Sequence, residues 1–146
     1  MARSRLSITL EGFDEMIEQI RKAEGNVDSA IQTAVNAGAS AAESALRSQC
    51  AASGVPDSVT GAITRTVERT GNRYTVGVGW ELGAYNPQNI SQGYKAVFLN
   101  YGTPHRTKHG QTKARGFIAK AKKASLKPVK AAQQSALEKI MKELEQ

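Results

Sequence analysis

The chain has 146 residues and a formal net charge of +7, with 40% hydrophobic but only 5% aromatic side chains. That length fits a single domain, residues 1–146, around one core; a core rich in alanine and poor in rings gives modest burial per residue and leaves part of the stability to contacts between subunits. The lone Cys50 excludes an intramolecular disulfide, no apolar run approaches the ~20 residues of a membrane span, and no apolar block follows Arg3 and Arg5 to signal secretion.

In chain order, Leu6, Ile8 and Leu10 alternate with Ser7 and Thr9, which predicts a half-buried strand ending at Gly12. Phe13, Met16, Ile17, Ile20 and Ala23 recur at helical spacing, with acids in the first turn where the helix dipole favours them. Gly25-Asn26 is a plausible C-cap and break. A second helical face then runs from Val27 to about Cys50, with Gly38 on it as a point of close approach by another element; Cys50 reads as a small buried hydrophobe. Ala51–Gly61 is a loop by composition. Two strands follow around a Gly71-Asn72 turn. In the second, Tyr74, Val76, Val78 and Trp80 share one face, and Gly77 and Gly79 leave a flat strip on the other, suited to a helix or neighbouring subunit.

Residues 82–93 read as a polar loop. "YKAVFLNYGT" is a buried strand or a short helix, since its near-continuous apolar centre fits both. After a basic stretch the helical pattern returns at Phe117, Ile118, Ala121 and Ala124; Pro128 interrupts it and opens a last helix carrying Val129, Ala132, Ala136, Leu137, Ile140 and Leu144. The expected class is α+β: an antiparallel sheet packed by a long N-terminal helical segment and C-terminal helices.

Charge is segregated. Residues 11–24 carry Glu11, Asp14, Glu15, Glu18 and Glu24 against Arg21 and Lys22, five acids to two bases and a net of −3. Residues 102–130 carry Arg106, Lys108, Lys113, Arg115 and five lysines of the following segment with no acid. Such asymmetry steers nucleic acid or an acidic protein surface, and it is also what a solvated basic face looks like.

The basic stretch admits three readings. His105 and His109 beside Lys108 and Arg115 suit ribonuclease-like acid–base work, but no carboxylate in the stretch orients either imidazole. His-x-x-x-His in a loop lacks the helix and further ligands of a metal site, and no phosphate-binding loop is present, so neither metal nor cofactor is expected. Tyr94, Phe98, Tyr101 and Phe117 flank the cations as base-stacking rings would in a nucleic-acid-binding protein, although they sit in apolar runs suited to a core.

The order of landmarks decides among these readings. Gly12-Phe13-Asp14-Glu15-Met16 closes the first strand. Pro56 is followed by Thr60-Gly61-Ala62-Ile63. Val97-Phe98-Leu99-Asn100-Tyr101-Gly102-Thr103 ends in aromatic-Gly-Thr, and Gly116-Phe117-Ile118 opens the C-terminal helix. In this order the chain resembles the tail-completion or tail-component proteins of tailed bacteriophages, which often carry an acid where Asn100 stands and a proline where Gly116 stands. The resemblance implies a structural protein without catalytic residues, in a closed ring of about six subunits joining tail to head. It implies that the apolar segment is a strand and Tyr101-Gly102-Thr103 a tight exit from the sheet. Thr103, His105, Arg106, Lys108, His109, Lys113 and Arg115 then form a docking loop toward a neighbouring subunit, the tail tube or a head-closure or connector ring, with packaged DNA in reach. It also implies residence in the virion neck or tail, reached through the host cytoplasm, with no membrane partner.

Overall fold

The computed structural model describes residues 4–71, 73–102 and 113–145. Its first strand, β1 (Arg5–Ile8), buries Leu6 and Ile8 and exposes Ser7, as the alternation predicts. Helix α1 (Asp14–Lys22) ends in a reciprocal pair of bonds, Gly25 N–H to Ile20 O at 2.9 Å and Glu24 N–H to Arg21 O at 3.0 Å. The left-handed position of that terminus falls on Glu24, at φ +62°, one residue before the expected glycine. Asn26 caps the next helix, α2 (Val27–Ala52), by accepting from Ser29 N–H at 3.0 Å. The loop before the hairpin contains a single helical turn, α3 (Asp57–Thr60).

Strands β2 (Thr64–Thr70) and β3 (Arg73–Gly79) form the hairpin, and β1 pairs with the far side of β3, giving the antiparallel order β1-β3-β2. Leu6 lies opposite Val78 and Ile8 opposite Val76. These side chains face the helices and share a core with Val35, Ala39, Ala42, Leu46 and Val129. The opposite sheet face, with Ser7, Thr64 and Glu68 exposed, carries no helix among the described residues. The fold is α+β, with helices on one side of a three-stranded sheet.

The helical layer is α2 against the last helix, α5 (Phe117–Leu144). Each buries an uninterrupted row at four-residue spacing: Ala30, Ala34, Gly38, Ala42, Leu46 and Cys50 on α2, and Phe117, Ala121, Ser125, Val129, Gln133 and Leu137 on α5. Small residues on α2 let the backbones approach. A Cβ at Gly38 would come within 2.8 Å of Gln133 Nε2 and 3.1 Å of Val129 Cγ1, so the close approach expected there is made by α5. Burial pushes the Cys50 thiol pKa up and leaves the group protonated, in keeping with a packing role. Trp80 closes the end of the core. Its indole N–H donates to Val59 O at 2.7 Å, and its ring meets Phe117 edge-on at 5.9 Å.

Three expectations are corrected. Residues Gln92–Tyr101 form a helix, α4, not the apolar strand implied by the resemblance, so the chain enters the basic stretch from a helix and not from the sheet. Ser91 accepts from Tyr94 N–H at 3.3 Å, Gly93, Ala96 and Asn100 make the buried side, and Gly102 at φ +78° ends the helix. Pro128 opens no new helix, because α5 passes through it without a break. A proline inside a helix costs about 3 kcal/mol; here Ser125, Val129 and Gln133 hold register across it by packing on α2, while Pro128 itself is exposed. Finally, the Gly77–Gly79 strip is met by the chain's own β1. The Arg5 side chain lies across Gly77 and donates to Thr66 Oγ1 at 2.7 Å, and a Cβ at Gly79 would overlap the Ser4 carbonyl oxygen.

Two outcomes follow for the isolated chain. Pro128→Ala restores a helix hydrogen bond on an exposed face and is expected to raise stability by about 1–3 kcal/mol in denaturant titration. Gly79→Val is expected to lower it by about 1–3 kcal/mol, without any partner present. A valine variant as stable as the parent would show that β1 does not close on this glycine.

Candidate docking surface

The basic stretch is held at both ends by a cluster of caps. Two backbone bonds tie its C-terminal end to α4, Arg115 N–H to Leu99 O and Gly116 N–H to Asn100 O, each at 3.0 Å. Asn100 is buried, and its side-chain oxygen accepts from Ile118 N–H at 2.8 Å. Gly116, at the N-cap position of α5 with φ +62°, has no side chain to cap with, so Asn100 satisfies one of that helix's free N–H groups from a distance. The Arg115 guanidinium donates to Ser53 O at 3.1 Å and Gly54 O at 3.0 Å, placing a cation at the C-terminal end of α2 where the helix dipole is negative.

Of the residues assigned to the docking loop, Thr103, His105, Arg106, Lys108 and His109 lie outside the described residues. Lys113 is exposed and Arg115 is engaged with α2, so the structure gives Arg115 a positioning role at the foot of the stretch. The flanking aromatics divide. Phe117 is fully buried against Trp80 and cannot stack a base. Tyr94 and Phe98 sit half-buried on α4 beside Tyr85, with Tyr85 and Tyr94 rings 5.1 Å apart. Among the described residues no group of three or more His, Cys, Asp or Glu could hold a metal ion. No helix among them is long and apolar enough to cross a membrane.

The acids of α1 and the foot of the basic stretch lie at opposite ends of the helical layer, although Lys130 between them bonds the Glu11 carbonyl and lies over the Phe13 ring. Helix α1 packs over the N-terminal half of α2 and the C-terminal half of α5, through Ile20, Ala30, Ala34 and Leu137. The foot of the basic stretch sits at the other end, on the last turn of α2 and the first of α5. A 26-residue helix separates them, about 40 Å long at about 1.5 Å per residue. Asp14, Glu15 and Glu18 are exposed, as are Lys120, Lys122, Lys123 and Lys127. Among the described residues no acid of α1 pairs with a lysine of α5; Glu18 pairs with Arg21.

Sequence reasoning missed the roles of Asn100, Arg115 and two straps between β2 and α2. Arg65 donates to Glu43 at 3.2 Å, and Arg69 pairs with Asp28. That pair holds the Asp28 carboxyl below its ordinary range, so the strap is in place at neutral pH and is lost as pH falls through the lowered value. Arg65 and Arg69, four apart and so on one facing of an edge strand, carried the signal for the straps. Ser91 and Gly102, with ten residues between them as cap and stop, carried it for α4.

Asn100 gives the sharpest test of the capped base. Asn100→Ala removes a buried cap and is expected to cost about 1–2 kcal/mol. Asn100→Asp keeps the acceptor and sets a negative charge at a helix N-terminus, so it should retain stability far better than the alanine variant. Equal losses in thermal melts of the two variants would show that the cap is not what matters at this position.

The family model described as "Bacteriophage HK97-gp10, putative tail-component" matches residues 14–102. The match includes three of the four landmark segments in whole or part and stops at the end of α4, before the basic stretch and α5. No curated protein and no solved structure matches the chain. With more than half of its length matched, the chain belongs to the HK97 gp10-like family of bacteriophage tail components.

Proposed function

We propose that this tail component works at the junction of tail and head, as a closed ring of about six identical subunits joined head to tail. Family membership over residues 14–102 is the observation that carries the reading. The charge distribution supports it: an acidic patch and a basic patch that lie at opposite ends of the helical layer leave two unlike surfaces on one subunit, which heterologous contacts require.

On this reading the protein assembles in the host cytoplasm and resides in the virion neck or tail. Thr103, His105, Arg106, Lys108, His109 and Lys113 contact a neighbouring subunit, the tail tube or a head-closure or connector ring, with Arg115 fixing the foot of the stretch. The role is structural, with no cofactor and no catalysis by His105 or His109. The exposed lysines of α5 favour one second reading, in which the basic surface binds nucleic acid.

The two readings separate in paired assays. Lys108→Glu with Lys113→Glu is expected to leave the fold within about ±0.5 kcal/mol of the parent, and to yield tails and filled heads that fail to join in vitro. On the nucleic-acid reading the parent binds an oligonucleotide with a log–log salt slope of roughly −0.7 to −0.9 per phosphate contact, and the double variant flattens it by nearly two contacts. Oligonucleotide binding lost in the variant while joining is unaffected would contradict the docking role. Absence of the protein from the head–tail junction in images of intact virions would contradict the ring.

A further inference from the structure

The sheet has two open edges, and the helical layer is set off-centre beneath it. Edge to edge, three strands about 4.8 Å apart cover about 14 Å, whereas two helices about 10 Å across and packed about 8–10 Å apart cover about 18–20 Å. At the β1 side the helices extend past the sheet. A groove of about 160 Å³ runs between β1 and α5, lined by Leu6, Ser7, Ile8 and Thr9 on one wall and by Leu126, Val129 and other α5 residues on the other. Three consecutive strand residues of both facings and the residue after them line it, so it is the strand's edge that borders the groove. Leu126 is 62% exposed there. At the β2 side the strand is tied to α2 through Arg65 and Arg69. Val67, between them, pairs with Val76 and so points to the helical face, yet it is 58% exposed. Val67 and Leu126 are the two most exposed large hydrophobic side chains of the described residues.

The backbone of each edge is also available. Trp80 N–H donates to Ser4 O, so by alternation Ser4, Leu6 and Ile8 turn their polar groups to β3, and Arg5 and Ser7 turn theirs outward. Gln133 takes the next outward carbonyl, that of Thr9, at 2.9 Å, and Lys130 takes that of Glu11, which ends the open edge. On the other side, β2 spends Thr64, Thr66, Glu68 and Thr70 on β3 and turns the backbones of Arg65, Val67 and Arg69 outward. Charged side chains commonly protect such an edge. Here Arg65 and Arg69 are drawn down to Glu43 and Asp28, and Arg5 lies across Gly77, so the edges stay clear.

We propose that copies of this chain join edge to edge, β2 of one copy docking on β1 of the next, with Val67 seated over Leu126 in the β1–α5 groove. This rests on the ring reading and names its interface. The exposed valine of one edge fits the open groove of the other, and one strand fills the width beside β1 that α5 underlies. Strands β1 and β2 are both antiparallel to β3, so with strands along the ring axis a cyclic repeat brings them together as a parallel pair. The charges facing the seat are Lys122, Lys130 and Glu11 from the groove and Arg65 and Arg69 from the incoming strand; each arginine arrives with its own carboxylate.

The test is a disulfide between copies in assembled virions. A chain carrying both Val67→Cys and Leu126→Cys is expected to give a ladder of cross-linked multimers on non-reducing gels after mild oxidation, and either single variant no multimers. Dimers from Val67→Cys alone would mean like edges pairing, and would overturn the proposal. A ring visible in virion images without a ladder would overturn this interface and leave the ring reading standing; no ring at all would overturn both. Should the cysteine chain fail to enter virions, proline replaces it. Ser7→Pro and Val67→Pro each delete an outward N–H that the chain's own ladder does not use, so both should keep the parent's melting curve and lose incorporation into virions at least tenfold. Incorporation of either at the parent's level would overturn the proposal.

Discussion

The antiparallel packing of α2 on α5 is the constraint on which the rest of the structure depends. It joins the first half of the chain to the last 28-residue helix, and it is made mostly of small side chains at four-residue spacing. Alanine and glycine bury little area each, so the contact is stable only if it is long and close. That is why Gly38 sits where Gln133 and Val129 cross, and why α5 continues through Pro128 at a cost no short helix would bear. An aromatic-poor composition and two long helices are the same fact at two levels.

The position of that pair sets everything around it. Its ends are far apart, so α1 at one end and the capped foot of the basic stretch at the other cannot neutralise each other within a subunit. At the β1 edge it leaves a groove against α5, and at the β2 edge Val67 stays exposed between two arginines that reach down to α2. Trp80 fixes the sheet at one end, through its bonds to Ser4 and Val59 and its contact with Phe117. The other end is strapped by Arg69 to Asp28.

Much of this was legible in the residues. The alternation at Leu6 and Ile8, the hairpin at Gly71, the two long apolar faces and the close approach at Gly38 all follow from periods that bind one residue to a facing. The segment Gln92–Tyr101 was not fixed by period, because an apolar run fits a strand and a short helix alike; the caps at Ser91 and Gly102 decide it. Pro128 misled because local propensity yields to a helix already held by packing on both sides. Asn100 and Arg115 were unreadable for a different reason. Each acts on an element distant in the sequence, Asn100 on Ile118 and Arg115 on Ser53 and Gly54, and no local pattern announces such a bond.

Amide hydrogen exchange, compared between the free chain and the virion-assembled protein, reads the two open sheet edges directly. Exchange in the free chain is expected to be rapid at Arg5, Ser7, Arg65, Val67 and Arg69, whose N–H groups point away from the sheet, and to slow tenfold or more at these amides if one sheet continues into the next on assembly. Leu6, Ile8, Val76 and Val78 should be protected in both states. Exchange at the five edge amides that is equally fast in the assembled protein would contradict an account in which one sheet is continued by the next.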